Sequence, residues 1–172
     1  MKQMLVVVDM QNDFIGGTLG SGQAEAIVPR VAEKIRAARE AGWTVAFTLD
    51  THDDGYLQTQ EGEKLPVAHC VKGTEGHRLH SKIAAQAREN DLYFEKPAFG
   101  SVALAEYLRQ GTWDRVELVG LCTDICVISN ALLIKAFCPE TAVAVDAACC
   151  AGVTEESHLT ALRAMGACQV EV

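Results

Sequence analysis

The chain has 172 residues, of which 49% are hydrophobic and 22% are charged, a composition typical of soluble globular proteins. This length predicts a single domain, spanning residues 1–172, with a sizeable core. The net charge of −8 at pH 7, with no cluster of lysine and arginine, argues against a nucleic-acid partner. No apolar run approaches the ~20 residues that a membrane span requires, so no membrane partner is expected.

The cysteines indicate a reducing environment. There are seven of them, an odd number, and none form a CxxC pair, so neither a disulfide framework nor a zinc ribbon is predicted. Met1 to Gln3 lead straight into an apolar run, and we therefore expect no signal peptide. Reduced thiols in a cytoplasmic protein are the simplest expectation.

The predicted elements alternate along the chain between apolar strands and amphipathic helices. The predicted strands are 4–8, 43–49, 91–95, 116–121, 141–145 and 168–172. The predicted helices are 26–38, 77–88, 101–108, 127–135 and 154–166, with Ser101 and Thr154 as N-caps. Strands rich in Val, Leu and Ile, separated by helices, predict an α/β fold: a three-layer αβα sandwich around a mainly parallel six-stranded sheet. The polar segment 51–76 lies outside this pattern, and a segment of that length is usually functional or mobile.

The stretch from Val116 to Ala136 carries the strongest indication of chemistry. A buried strand turns at Gly120 into a helix, for which Thr123 or Asp124 is the predicted N-cap. Cys126 is then in the first helical turn, where the backbone N–H groups and the helix dipole favour a thiolate. An unpaired Asp124 carboxylate would act in the opposite direction. Free cysteine also commonly packs as a small hydrophobic residue, so a structural role stays open.

Polar or reactive residues follow the other predicted strands. An open α/β sheet binds its ligand beyond the carboxyl ends of its strands, where this sequence places Asp9, Asp50, Lys96, Cys126 and Asp146. Among these, Cys126 could act as a nucleophile, Asp9 as its proton acceptor, and Lys96 as the cation that holds both. An aspartate that only caps a turn and a lysine exposed at the surface are the simpler alternatives.

Three motifs resemble those of one enzyme family. VDMQNDF at 8–14, KPAFGS at 96–101 and GLCTDICV at 120–127 are similar to the motifs of the isochorismatase-like cysteine hydrolases, which include the nicotinamidases. VDAACCAG at 145–152 and ESHLTALRAMG at 156–166 extend the resemblance nearly to the end of the chain. The resemblance implies the family's fold and a small-molecule amide substrate. It also implies a homo-oligomer, a dimer or a tetramer.

The resemblance assigns roles to particular residues. It implies a catalytic triad of Asp9, Lys96 and Cys126. The backbone N–H groups of Cys122 and Cys126 would form the oxyanion hole. It also implies a cis peptide bond between Leu121 and Cys122.

The nicotinamidase branch implies a divalent metal, Zn, Fe or Mn. The ligands implied here are Asp50, His52 and His69, with Glu61 or Glu63 as a possible fourth. Carboxylate and imidazole are suitable ligands for these metals. A histidine in a polar loop is otherwise often only solvent-exposed. The chain lacks a second histidine shortly after His52, as well as the tryptophan that often precedes the later histidine.

The predicted function is hydrolysis of a small amide, with nicotinamide as the first candidate and Phe14 flanking its ring by resemblance. An isochorismatase-type hydrolase, or one acting on another amide or carbamoyl group, is the neighbouring alternative. A redox-responsive binding module without catalysis is the remote alternative, prompted by Cys122 and Cys126, four residues apart, and by the adjacent Cys149 and Cys150.

Overall fold

The computed structural model describes all 172 residues and is built on a parallel five-stranded sheet. The strands are β1 (Gln3–Val8), β2 (Thr44–Asp50), β3 (Leu92–Lys96), β4 (Arg115–Leu121) and β5 (Ala142–Ala151). Their order across the sheet is β3-β2-β1-β4-β5. The carboxyl ends of all five strands therefore lie at the same end of the sheet, as the prediction of a parallel sheet requires.

Helices cover both faces of this sheet, which confirms the three-layer α/β architecture. They are α1 (Asn12–Ile15), α2 (Gly22–Glu40), α3 (Gln60–Lys64), α4 (Ser81–Ala84), α5 (Val102–Arg109), α6 (Ile128–Phe137) and α7 (Glu155–Ala167). Helices α5, α6 and α7 pack on one face, while α1, α2 and α4 pack on the other. None of the helices combines the length and apolar composition needed to cross a bilayer.

The central strand β1 shows why the sequence specifies two cores. Successive side chains of a strand point to opposite faces of its sheet. Met4, Val6 and Val8 accordingly enter the core beneath α5 to α7, and Leu5 and Val7 enter the core beneath α2. A strand that is buried on both faces must be apolar throughout, as the run from Met4 to Val8 is.

The sixth predicted strand, 168–172, is wrong. Helix α7 continues through Ala167, and Gln169 then adopts a left-handed conformation with φ of 63°. Only Glu171 aligns with β5, in a bridge to Ala144 flanked by hydrogen bonds with Val143 and Val145. The residues left after α7 and this turn are too few to form a ladder.

The helix predicted over 77–88 is also largely wrong, because only Ser81–Ala84 is helical. The residues before it pair with the segment that follows β1: Leu79 bridges Gln11, and the Arg78 carbonyl accepts the Asn12 N–H. These contacts replace helical hydrogen bonds and attach the segment to the end of the sheet.

The predicted turn at Gly120 is wrong, because β4 continues through Gly120 to Leu121, and the predicted cis bond after Leu121 is also wrong. Gly120 has φ of 116°, and a Cβ atom added to it would overlap the carbonyl oxygen of Val8 on the neighbouring strand. No peptide bond in the structure is cis. Gly120 lies within β4, opposite Val8 of β1 and Cys150 of β5, where the register of β4 with β5 shifts.

We predict that Gly120→Ala lowers the free energy of unfolding by more than about 3 kcal/mol, because it combines backbone strain with a backbone collision. Gly42→Ala is the matched control, since Gly42 also has positive φ, 77°, but its added Cβ meets nothing within 4 Å. The control should lose only about 1 kcal/mol from strain. Urea denaturation measures both, and equal losses would contradict a collision at Val8.

Candidate active site

Lys96 is the centre of a buried cluster at the carboxyl ends of the strands. It is the last residue of β3 and is 1% exposed. Its Nζ lies 2.7 Å from Asp9 Oδ2, 3.2 Å from Asp50 Oδ1 and 3.4 Å from Cys126 Sγ. The structure therefore brings together the three residues predicted as a triad, and adds Asp50 to them.

Asp9 directly follows β1 in a left-handed conformation, with φ of 49°, and it is fully buried. Thr48, on the adjacent strand β2, donates its hydroxyl to Asp9 Oδ1 at 2.6 Å. Burial raises the pKa of Asp9, although Lys96 and Thr48 oppose that rise. A carboxylate of raised basicity next to a thiol is suited to accept its proton.

The turn that carries Cys126 differs from the prediction in its type and its cap. Residues Thr123–Val127 form a π-helical turn ahead of α6, and the N-cap position is Cys122. Thr123 does not cap the turn, because its buried hydroxyl is 2.8 Å from Nδ1 of His158 in α7. The Asp124 carboxylate accepts the backbone N–H of Val153 at 3.1 Å.

The Cys126 sulfur does not have the lowered pKa expected from its helix. Burial raises the pKa of Cys126 well above its usual value, and the charge of Asp9 raises it further, while Lys96 lowers it. These influences favour the thiol over the thiolate. The direction differs from the expectation because burial of the sulfur has the largest effect, ahead of the ammonium group of Lys96.

Asn130 is a buried site residue that sequence reasoning missed. Its Nδ2 donates to the carbonyl oxygens of Cys126 at 2.8 Å and Phe99 at 3.1 Å. Its Oδ1 accepts the N–H of Ser101 at 2.9 Å. The signal in the sequence was an amide side chain within an apolar helix, four residues after the cysteine. This side chain ties the turn of the nucleophile to the loop that follows Lys96.

Asp50, His52 and His69 form a second cluster that shares Asp50 with the first. His52 Nε2 is 3.0 Å and His69 Nε2 is 3.3 Å from Asp50 Oδ2. One ligand atom from each residue lies within 4.8 Å of the others, and all three residues are buried. This is a candidate site for a divalent metal ion.

The hydrogen bonding of His69 supports this interpretation. Its Nδ1 is 2.8 Å from the carbonyl oxygen of Val67, an acceptor, so Nδ1 carries the proton. In a neutral ring, Nε2 then directs a lone pair toward the Asp50 carboxylate. Two acceptors that face one another need a proton or a metal ion between them, and the Asp50 carboxylate raises the pKa of His69. A divalent metal ion would satisfy both acceptors. The donor set therefore fits a divalent metal.

The two glutamates proposed as a fourth ligand differ in position. Glu61 Oε1 is 3.9 Å from Nε2 of both His52 and His69, and Glu61 is only partly exposed. Glu63 is exposed on α3, so Glu61 is the better placed of the two predicted candidates. The helix is held against the preceding turn at Gly62, where an added Cβ would overlap the Tyr56 carbonyl, and this packing directs Glu61 inward.

A cavity of about 260 Å³ joins the two clusters. Asp50, Glu61, His69 and Cys126 supply its polar and reactive wall, and the remaining lining residues are Phe14, Leu19, Leu65, Phe99, Cys122, Ile125 and Val153. The ring of Phe14 lies 5.5 Å from that of His69, centroid to centroid. A small, flat, mainly apolar molecule with one polar group fits such a wall.

Asp146 does not join the site, contrary to the expectation from its place after a predicted strand. Strand β5 continues to Ala151, so Asp146 lies within the strand rather than at its end. Its carboxylate binds Lys34 of α2 at 2.8 Å, and Lys34 also binds Glu117 at 2.9 Å.

The fold and the site together define a class of protein. A parallel α/β sheet that brings a cysteine, a lysine and a carboxylate into contact at its carboxyl end, beside a small cavity, is the arrangement of a hydrolase that uses a cysteine nucleophile.

Comparison with known proteins gives the family. The isochorismatase domain model matches residues 3–172, and the chain belongs to the isochorismatase family. It is 31% identical to the nicotinamidase/pyrazinamidase of Mycobacterium tuberculosis, over 98% of this chain and 96% of that protein. It is 32% identical to the isochorismatase family protein PncA of Bacillus subtilis, over 94% and 93%. The crystal structure of the Pyrococcus horikoshii pyrazinamidase in complex with zinc superimposes with a TM-score of 0.86 at 27% identity, covering 99% of this chain and 98% of that one.

We predict that the purified, untagged protein binds a divalent metal ion, and that His69→Ala abolishes this binding. Glu61→Gln should weaken the affinity by roughly tenfold, since it removes a charge adjacent to both imidazoles. Glu63→Gln is the matched control on the same helix and should leave the affinity unchanged. Chelator competition measures each affinity, and equal effects of the two glutamine variants would exclude Glu61 from the site.

Proposed function

We propose that this protein is a cysteine-dependent amidase that hydrolyses nicotinamide to nicotinate and ammonia. The observation that carries the proposal is the contact of the buried Lys96 ammonium with both Asp9 and Cys126, at the wall of a small apolar cavity. The similarity to the M. tuberculosis nicotinamidase/pyrazinamidase over nearly the whole chain supports the substrate class.

In the first half of the reaction, Asp9 acts as the base. Burial and the charge of Asp9 favour the thiol form of Cys126, and its proton passes to the Asp9 carboxylate as the sulfur attacks the amide carbonyl carbon. Lys96 stabilises the negative charge on whichever partner bears it, since its Nζ contacts both. The carbon–nitrogen bond then breaks, and protonated Asp9 returns the proton to the leaving nitrogen. Ammonia departs and a thioester of Cys126 remains.

In the second half, Asp9 takes a proton from a water molecule that attacks the thioester carbonyl. The carbon–sulfur bond breaks and the carboxylic acid is released, while the proton held by Asp9 returns to the Cys126 sulfur. In both halves the backbone N–H groups of Cys122 and Cys126 stabilise the oxyanion on the carbonyl oxygen. Asn130 supports this step indirectly, because its bonds fix the turn that presents these groups.

A divalent metal, Zn, Fe or Mn, would be held by Asp50, His52 and His69, with Glu61 nearby. When bound, it would supply a coordination position for the pyridine nitrogen and so orient the ring in the cavity. Phe14, next to His69, would flank that ring. The cavity is at the small end of ligand sites, which favours a single substituted ring over a larger substrate.

The neighbouring alternatives fit the site less well. An isochorismatase-type reaction would leave the Asp50, His52 and His69 cluster without a use. A non-catalytic redox module would not explain why Lys96 is buried in contact with Asp9. The proposal also includes a homo-oligomeric assembly and a cytoplasmic location.

Cys126→Ser should lower the turnover of nicotinamide by at least about 10³-fold, because the nucleophile is lost. Nicotinate should still bind, since the cavity and the metal ligands are unchanged. Cys168→Ser, at an exposed cysteine, is the control and should retain activity. A coupled ammonia assay and calorimetric titration with nicotinate measure these two properties. Near-native turnover by Cys126→Ser would remove this residue from the mechanism.

The pH dependence of kcat/KM should depend on Thr48. Asp9 must be ionised to accept the thiol proton, so activity falls as the pH drops through its raised pKa. Thr48→Val removes a hydrogen bond that favours the ionised form, and should move this acidic limb to higher pH. Thr141→Val, which removes a buried hydroxyl far from the site, is the control. An acidic limb that stays in place in Thr48→Val would argue against Asp9 as the base.

A further inference from the structure

We infer that Gln11 is a positioning residue that fixes Asp50 in place for both the Lys96 cluster and the metal ligands. The inference rests on the metal site within the proposed function, and not on the identity of the substrate. Gln11 is fully buried and touches neither the cavity nor a candidate metal ligand atom. Its amide binds only the backbone.

Both ends of the Gln11 amide are used. Its Oε1 accepts the backbone N–H of Asp50 at 2.8 Å, and its Nε2 donates to the Asp50 carbonyl at 2.9 Å. The same Nε2 donates to the His77 carbonyl at 2.8 Å. The side chain thus bonds to Asp50 in the same way as the backbone of a neighbouring strand would.

The sheet itself cannot supply these bonds. Asp50 pairs with Lys96 of β3 on one side, but on the other side the ladder of β1 with β2 ends at Val8 and Thr48. Asp9 then turns the chain away through its left-handed conformation. The N–H and C=O of Asp50 would face a gap in the interior, where unpaired backbone groups are costly. The Gln11 amide fills this gap.

The consequence lies in the geometry of one carboxylate. Asp50 Oδ1 is 3.2 Å from Lys96, while Oδ2 is within 3.3 Å of both imidazole Nε2 atoms. Each of these contacts depends on where the last residue of β2 points. If the backbone of Asp50 were free to move, neither carboxylate oxygen would be held toward its partners. This is the effect expected when a group that orients metal ligands is removed.

Asn12 offers a matched comparison on the adjacent residue. Its amide also donates to a backbone carbonyl, that of Glu75, at 2.8 Å. This hydrogen bond is exposed, and Glu75 is distant from Asp50 in sequence. The same amide donates to Glu75 Oε1 at 3.3 Å, so removing it tests the general effect of losing side-chain hydrogen bonds from this segment.

The test is zinc affinity, measured by chelator competition on folded, metal-free protein in the absence of substrate. Gln11→Met keeps the length of the side chain and removes the amide, and Gln11→Glu keeps the acceptor and loses the donor. Both should bind zinc about 10- to 100-fold more weakly than the wild type. Asn12→Ala should bind zinc as the wild type does. If Gln11→Met does not fold, Gln11→Glu decides the result.

Thermal unfolding of the metal-free variants separates positioning from simple stabilisation. A residue that only stabilises the fold would lower the midpoint of unfolding but leave the zinc affinity of the folded protein within twofold of the wild type, and that result would overturn the inference. The proposed function fails by a different result, namely a wild-type protein that binds zinc but releases no ammonia from nicotinamide.

Discussion

A single buried ammonium group organises this end of the molecule. Lys96 is almost inaccessible, and an isolated charge there would be strongly unfavourable. Burial alone would lower the pKa of Lys96, but the charges of Asp9 and Asp50 raise it, so the ammonium persists. The same reasoning applies to its partner Asp50. Burial alone would raise the pKa of Asp50, but its contacts with His52 and His69 and the charge of Lys96 lower it. The cluster is stable only when complete, because removing one member of a buried ion pair leaves an unpaired charge.

The sheet determines which groups surround that ammonium. Lys96 and Asp50 are opposite each other in the ladder of β2 with β3, and Thr48 is opposite Val8, next to Asp9. Register alone therefore brings a cation, two carboxylates and a hydroxyl together. Cys126 is positioned differently, by the π-helical turn Thr123–Val127 that follows β4. The close packing of Gly120 on Val8 holds β4 against β1, whose next residue is Asp9. The result is a buried sulfur next to a base, in surroundings that raise its pKa.

The sequence predicted what depends on pattern and missed what depends on tertiary contacts. Apolar runs located all five strands, and the residues after them, Asp9, Asp50 and Lys96, were predicted to lie together because parallel strands end at one side of a sheet. The missing sixth strand depends on a left-handed Gln169, and the short α4 depends on the pairing of Leu79 with Gln11. Neither contact is visible in local periodicity. The raised pKa of Cys126 was missed for a related reason, since its burial becomes evident only when the core beneath α5 to α7, to which it belongs, is assembled.

Asp50 makes the two clusters interdependent. Its negative charge helps to raise the pKa of Asp9, and its Oδ2 faces both imidazoles. A cation shared by the two imidazoles and Oδ2 offsets part of the negative charge near Lys96 and Asp9. The protonation of Lys96, Cys126 and Asp9 therefore depends on whether the histidines hold a cation. The carboxylate can keep these contacts only if the backbone of Asp50 is fixed. This gives a physical reason for the hydrogen bonds from the Gln11 amide to the last residue of β2.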